Sequence, residues 1–87
     1  MNNYFVFKFN DKGINIEAVN DRAAATDYCL LSGTESKITD SCFNIKGFEP
    51  KFFNSDIFVV KTEDFKDGDY FDITNFKSYE AIGFKME

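Results

Sequence analysis

Residues 3–9 read Asn3-Tyr4-Phe5-Val6-Phe7-Lys8-Phe9, with an aromatic ring at every second position on one face. A period of two residues is typical of a β-strand, and here Tyr4 and Val6 make the second face partly apolar as well. Residues 10–13, which end in Gly13, have the composition of a turn, and we expect this glycine to supply a positive φ. Residues 14–18 alternate again, so the sequence predicts an N-terminal β-hairpin.

An α-helix is predicted after this hairpin, over about residues 21–32. Asn20 and Asp21 are favourable N-cap residues, and three alanines follow at positions 23–25. Gly33 is placed to end the helix. The small side chains predict a helix that lies close to a sheet.

The rest of the chain predicts further short strands at residues 42–45, 57–61 and 70–74, the last with Phe71 and Ile73 inward. An irregular connection is expected over residues 48–55, and one helical turn capped by Thr62 over residues 62–68. Residues 76–85 fit a strand or a short helix ended by Gly83, and we favour the strand.

The predicted order is therefore β-β-α-β-β-β, with a further strand if residues 76–85 are extended. This order indicates a single α+β domain over residues 1–87, in which an antiparallel sheet of about five strands carries one helix on one face.

The composition excludes two classes of protein. Hydrophobic residues make up 44% of the 87 residues and twelve residues are Phe, which excludes a disordered chain. The net charge of −5 argues against a basic nucleic-acid binder. We expect most phenylalanines in the core and one to three of them exposed or at an interface.

No catalytic residue, metal ligand set or cofactor is predicted. The chain has no histidine, and its five glycines are scattered singly rather than grouped as a phosphate-binding loop. Cys29 and Cys42 are expected to be buried free thiols, with a structural disulfide as the alternative. No secretory leader or membrane-spanning run is visible, which predicts a cytoplasmic protein without membrane contact.

The charge is concentrated in the last third of the chain. Residues 55–87 hold eight acids and four bases, and between residues 63 and 72 Lys66 is the single base. The candidate partner-binding residues are Glu63, Asp64, Asp67, Asp69, Tyr70 and Asp72. Three interpretations of this acidic segment stay open, namely a solvated turn, a surface for a basic partner and a calcium site. The spacing of its acidic residues does not match an EF-hand loop.

In size, acidity and lack of catalytic groups, the chain is similar to small inhibitors encoded by phages and mobile elements, anti-CRISPR proteins among them, and to toxin-immunity proteins. The similarity is one of composition and involves no shared motif. It implies a non-enzymatic nucleic-acid mimic that blocks a basic surface of a nucleic-acid-handling protein or ribonucleoprotein, in the host cytoplasm if phage-encoded. Direct contact with nucleic acid is not expected, and the chain would be a monomer or a small homo-oligomer. The alternative is a structural or assembly protein of a virus or mobile element that homo-oligomerises through a sheet edge or exposed Phe.

Overall fold

The computed structural model describes residues 1–33 and 37–87, which form an antiparallel sheet with helical segments on both faces. The strands of this part are β1 (Asn2–Phe7), β2 (Ile14–Ala18), β3 (Ile38–Phe43), β4 (Ile57–Lys61) and β5 (Ala81–Met86). Their spatial order is β2-β1-β4-β5-β3, with every neighbouring pair antiparallel. The helical segments are α1 (Asp21–Leu31), the one-turn helix α2 (Pro50–Phe53) and a 3₁₀ helix (Ile73–Lys77). The predicted α+β fold with a five-stranded sheet is confirmed.

Helix α1 packs on one face of the sheet. Its N-terminus is capped by Asn20, whose side chain accepts a hydrogen bond from the Ala23 amide at 2.8 Å. Ala24, Ala25 and Tyr28 are buried against strand residues of this face. The small alanines let the helix approach the sheet closely. Gly33 follows in the left-handed region with φ 74°, so the predicted helix and its stop are confirmed to within a residue.

Phenylalanine rings fill the opposite face of the sheet. Phe5, Phe7 and Phe58 project from the strands, and rings from α2, the 3₁₀ helix and residue 71 cover them. Phe9, Phe43 and Phe48 are exposed, and the other nine of the twelve rings are buried or half-buried, as the composition predicted. The many phenylalanines therefore build a second core layer where no long helix lies.

Three predictions for the first half of the chain are wrong in detail. Strand β1 ends at Phe7, which leaves Phe9 exposed in the turn, and Asn10 has the positive φ (59°) that was expected of Gly13. Strand β3 runs over Ile38–Phe43 and not over residues 42–45. The strand ends early because the Asn44 side chain binds backbone groups of residues 76, 79 and 81.

The predictions for residues 48–80 are also partly wrong. Residues 48–55 contain helix α2, and residues 62–68 are not helical. Residues 70–74 are not a strand: Tyr70 makes one isolated bridge to Lys12, and Ile73 is exposed in the 3₁₀ helix while Phe71 is buried. The favoured strand at residues 76–85 exists from Ala81 onward, because the first part of that segment belongs to the 3₁₀ helix. The backbone of residues 66–70 bonds to the β1–β2 turn and to its own neighbours, which competes with helix formation.

Both cysteines are free thiols, as expected. Cys29 is buried, and its thiol lies 3.6 Å from the Met86 sulfur, whereas Cys42 is half-buried rather than fully buried. None of the described helices has the length and apolar character needed to cross a bilayer.

Candidate partner-binding surface

The predicted partner-binding residues lie on one segment, residues 62–72, which we call the acidic loop. This loop follows β4 and lies along the outer edge of the sheet at the start of β2. Gly13 donates its amide to the Asp69 carbonyl at 2.9 Å and accepts a hydrogen bond from the Gly68 amide at 2.8 Å. The acidic loop is therefore joined to the sheet by backbone hydrogen bonds.

Asp67 adds a third connection between the acidic loop and β2. One of its carboxylate oxygens accepts hydrogen bonds from the Asn15 backbone amide at 2.7 Å and from the Asn15 side chain at 3.1 Å. The same Asn15 side chain donates to the Phe65 carbonyl at 2.9 Å. A carboxylate thus occupies the position that a carbonyl of a neighbouring strand would take.

Asp69 and Asp72 stabilise turns within the chain. Asp69 accepts the Lys66 amide at 2.9 Å, and Asp72 accepts both the amide and the hydroxyl of Thr74, each at 2.9 Å. Asp72 is the N-cap of the 3₁₀ helix. These two hydrogen bonds hold the pKa of the Asp72 carboxyl below its ordinary value.

Glu63 and Asp64 contact side chains from distant parts of the chain. Glu63 accepts a hydrogen bond from the Asn3 side chain, and Asp64 accepts the Tyr79 hydroxyl at 2.7 Å. Donation to Asp64 raises the pKa of Tyr79. The Tyr79 ring packs against Phe65, with centroids 5.6 Å apart, so Asp64 is linked to the phenylalanine layer.

The negative charge of the acidic loop is not compensated by ion pairs. All five are exposed, and the described part of the chain contains a single ion pair, between Asp40 and Lys51 at 3.8 Å. Each of the five engages one of its two oxygens in the hydrogen bonds above, so the second oxygen stays open to a partner. Tyr70 lies among them and is 63% exposed.

The sequence did not predict the residues of β1 and β2 that complete this surface. Glu17 is directly opposite Asn3 in the ladder, so its carboxylate shares a face with the Asn3 side chain that binds Glu63. The alternation of β2 indicates that Asn15 and Glu17 face outward. Their proximity to the acidic loop depends on contacts across about 50 residues of chain, which no local pattern indicates.

The calcium interpretation finds no support in this geometry. The carboxylates of Asp67, Asp69 and Asp72 bind different donors, namely Asn15, the Lys66 amide and Thr74. Within residues 1–33 and 37–87, no three acidic or thiol side chains are grouped as a metal site requires.

Acidification is expected to destabilise the fold in part through Asp72. Its folded-state pKa is lowered from 3.8, so its contribution to stability is complete above the unfolded pKa and is lost as pH falls through the folded pKa. Asp72→Asn keeps an oxygen acceptor for Thr74 but does not titrate. We therefore expect the stability difference between wild type and Asp72→Asn to shrink when urea unfolding is repeated below about pH 4. A constant difference between neutral and acidic pH would contradict this assignment.

Comparison with known protein families, curated proteins and solved structures finds no match to this chain.

Proposed function

We propose that this chain is a small non-enzymatic binding protein of the phage-inhibitor kind, which blocks a basic surface of a nucleic-acid-handling protein or ribonucleoprotein. The observation that carries the proposal is the acidic loop, in which five exposed carboxylates without an ion-pair partner share one segment with the exposed Tyr70. Carboxylates spaced along a loop can occupy the sites at which a basic groove binds phosphates. Such complementarity accelerates encounter and fixes orientation.

The anchoring of the acidic loop supports this function. Gly13, Asn3 and Asn15 connect the loop to the sheet, and Tyr79 connects it to the phenylalanine layer. A loop that is ordered before binding loses less conformational freedom when a partner binds it. The hydrogen bonds that give the acids a structural role therefore also present their open oxygens in a fixed arrangement.

Tyr70 is the candidate aromatic anchor of this surface. Its aromatic side chain is enriched in protein interfaces because the ring buries a large area while the hydroxyl can hydrogen-bond. Ile73 is 42% exposed in the following 3₁₀ helix and adds apolar area next to it in the sequence. The acidic loop and the residue that follows it thus combine exposed apolar side chains with negative charge.

One cavity bears on the choice between binding and catalysis. A cavity of about 360 Å³ lies between β3, α2 and β5, and Asp40 is the one carboxylate that lines it. That carboxylate faces Lys51 at 3.8 Å, and the chain has no imidazole to act as a base. A pair of convergent carboxylates for hydrolysis is not found in this cavity.

Neutralising the acidic loop without altering its shape tests the proposal. Lysine substitutions would remove the acceptors that hold the loop, so Asp64→Asn, Asp67→Asn and Asp69→Asn are combined instead, because asparagine keeps an oxygen. Wild type and this triple variant serve as baits in a bacterial lysate, and captured proteins are then assayed for loss of nucleic-acid binding. We expect wild type to capture and inhibit a basic protein, and the triple variant to bind it at least about tenfold more weakly with a flatter salt dependence.

The matched control removes the same charge elsewhere. Asp27, Glu80 and Glu87 are exposed and lie outside the acidic loop, so Asp27→Asn, Glu80→Gln and Glu87→Gln give the same net charge. This control should bind and inhibit nearly as wild type does. Equal inhibition by wild type and the loop variant, or equal weakening by the control, would contradict the proposal.

A further inference from the structure

The cavity of about 360 Å³ between β3, α2 and β5 is lined mainly by side chains that can donate hydrogen bonds. These donors are the ammonium groups of Lys51 and Lys85, the hydroxyls of Ser41 and Ser55, and the amide of Asn54. The side chains of the three neutral donors make no hydrogen bond to any other described residue. Such a wall favours a ligand that accepts hydrogen bonds.

One positive charge of this cavity is not compensated. Asp40, the one carboxylate that lines the cavity, lies 3.8 Å from the Lys51 ammonium. Lys85 has no ion-pair partner among residues 1–33 and 37–87, although the whole chain carries a net charge of −5. An unpaired cation in a concave site raises the local concentration of anions. The ligand that fits this cavity is therefore an anion.

Strand β5 and the segment after α2 fix the walls of this cavity. Gly83 and Lys85 lie two residues apart on one face of β5. A Cβ at Gly83 would overlap the Ser55 side chain, so the glycine lets this hydroxyl lie directly against the sheet. The Asp56 amide donates to the Phe84 carbonyl at 2.9 Å, which holds the segment on β5. A wall that is ordered in advance loses less conformational freedom when a ligand binds.

We propose that this cavity binds a small organic anion through its carboxylate or phosphate oxygens. The Lys85 ammonium pairs with the charge of the oxyanion, and the two serine hydroxyls and the Asn54 amide donate to its oxygens. The volume is at the lower end of the roughly 300–1,000 Å³ of small-molecule sites, which leaves room for a few carbon atoms beside the anionic group. The acidic loop lies at the β2 edge of the sheet, so this proposal is independent of the proposed function.

Three probes with one carbon skeleton test the site, namely glycerol 3-phosphate, glycerate and glycerol. Each is titrated into the protein at constant pH and ionic strength, and the amide chemical shifts are followed by NMR. We expect saturable shifts at Ser55, Gly83 and Lys85 with a dissociation constant in the millimolar range for at least one of the two anions, and none for glycerol. The anion that binds more tightly identifies the oxyanion. Shifts that do not saturate, or that spread over lysines elsewhere, would overturn the proposal.

The role of Lys85 has its own test. Lys85→Gln removes the charge and keeps a side chain that donates hydrogen bonds, and it should raise the dissociation constant at least about fivefold. Lys61→Gln is the matched control, because Lys61 is an exposed lysine at the end of β4 and does not line this cavity. Circular dichroism on both variants verifies the fold. Equal affinities of the two variants for the anion would overturn the assignment of Lys85.

Cys42 reports on occupancy of the cavity in the wild-type chain. Its half-buried thiol lines the cavity, whereas Cys29 is buried elsewhere, beneath α1. Iodoacetamide is uncharged and does not compete for Lys85. We expect the rate of Cys42 alkylation to fall several-fold at a concentration of anion that saturates the amide shifts, and to be unchanged by glycerol. An unchanged alkylation rate at saturation would overturn the placement of the anion in this cavity.

Discussion

Phe76→Ala is expected to destabilise the protein by about 3–5 kcal/mol, the range for truncating a buried phenylalanine. Phe76 is 1% exposed, and its ring centre lies within 6.1 Å of five other ring centres, with Phe52 and Phe71 closest at 4.8 Å. The total stability of a small domain is about 5–15 kcal/mol. Loss of this one ring should therefore remove a large part of the free energy of unfolding, as urea denaturation followed by circular dichroism would show.

Phe48→Ala is the matched control for this prediction. Phe48 is 67% exposed, and its contact with Lys77 is a cation–π interaction at the surface. Its truncation should cost no more than about 1 kcal/mol. If both variants lost a similar free energy of unfolding, the close packing of the phenylalanine layer would not be a source of stability.

The sequence predicted the parts of the fold that depend on local periodicity. Alternation of apolar residues identified β1 and β2, and the density of β-branched residues identified β4. The Asn20 cap and the alanines identified α1. Phe76 shows where local pattern fails, since a 3₁₀ turn and a strand start both fit the residues around it. The segment became a 3₁₀ helix because Asp72 caps it and Asn44, more than thirty residues away, binds the carbonyls of Phe76 and Tyr79.

The sequence indicated the residues of the candidate site but not their arrangement in space. A run of acids between residues 63 and 72 is visible in the sequence, as is Tyr70 among them. The donors that hold those acids, such as Asn3 and Asn15, come from the first strands and are brought near by the sheet. Composition alone indicates charge, whereas the position of each carboxylate depends on pairing between distant segments.

Gly13→Ala is expected to destabilise the fold by about 2–3 kcal/mol and to loosen the acidic loop. The sequence suggested that Gly13 supplies a positive φ, but Asn10 does so, and Gly13 is required for another reason. A Cβ at Gly13 would overlap three carbons of the fully buried Phe5 ring. That ring is packed against Phe65, with centroids 5.0 Å apart, so it has little room to retreat. Hydrogen exchange at the Gly68 amide, which donates to the Gly13 carbonyl, should accelerate in the variant.

A double-mutant cycle with Phe5→Leu separates this clash from a backbone effect. If the added methyl group acts through the Phe5 ring, Gly13→Ala should cost less in the Phe5→Leu background than in wild type, with a coupling of at least about 1 kcal/mol. If the losses in free energy of unfolding from the two single substitutions add up to that of the double variant in urea, the methyl group acts on the backbone instead. Coupling would show that the side-chain space at Gly13 is taken by the phenylalanine layer. The same glycine then joins that layer to the acidic loop, because its amide and carbonyl bind Asp69 and Gly68.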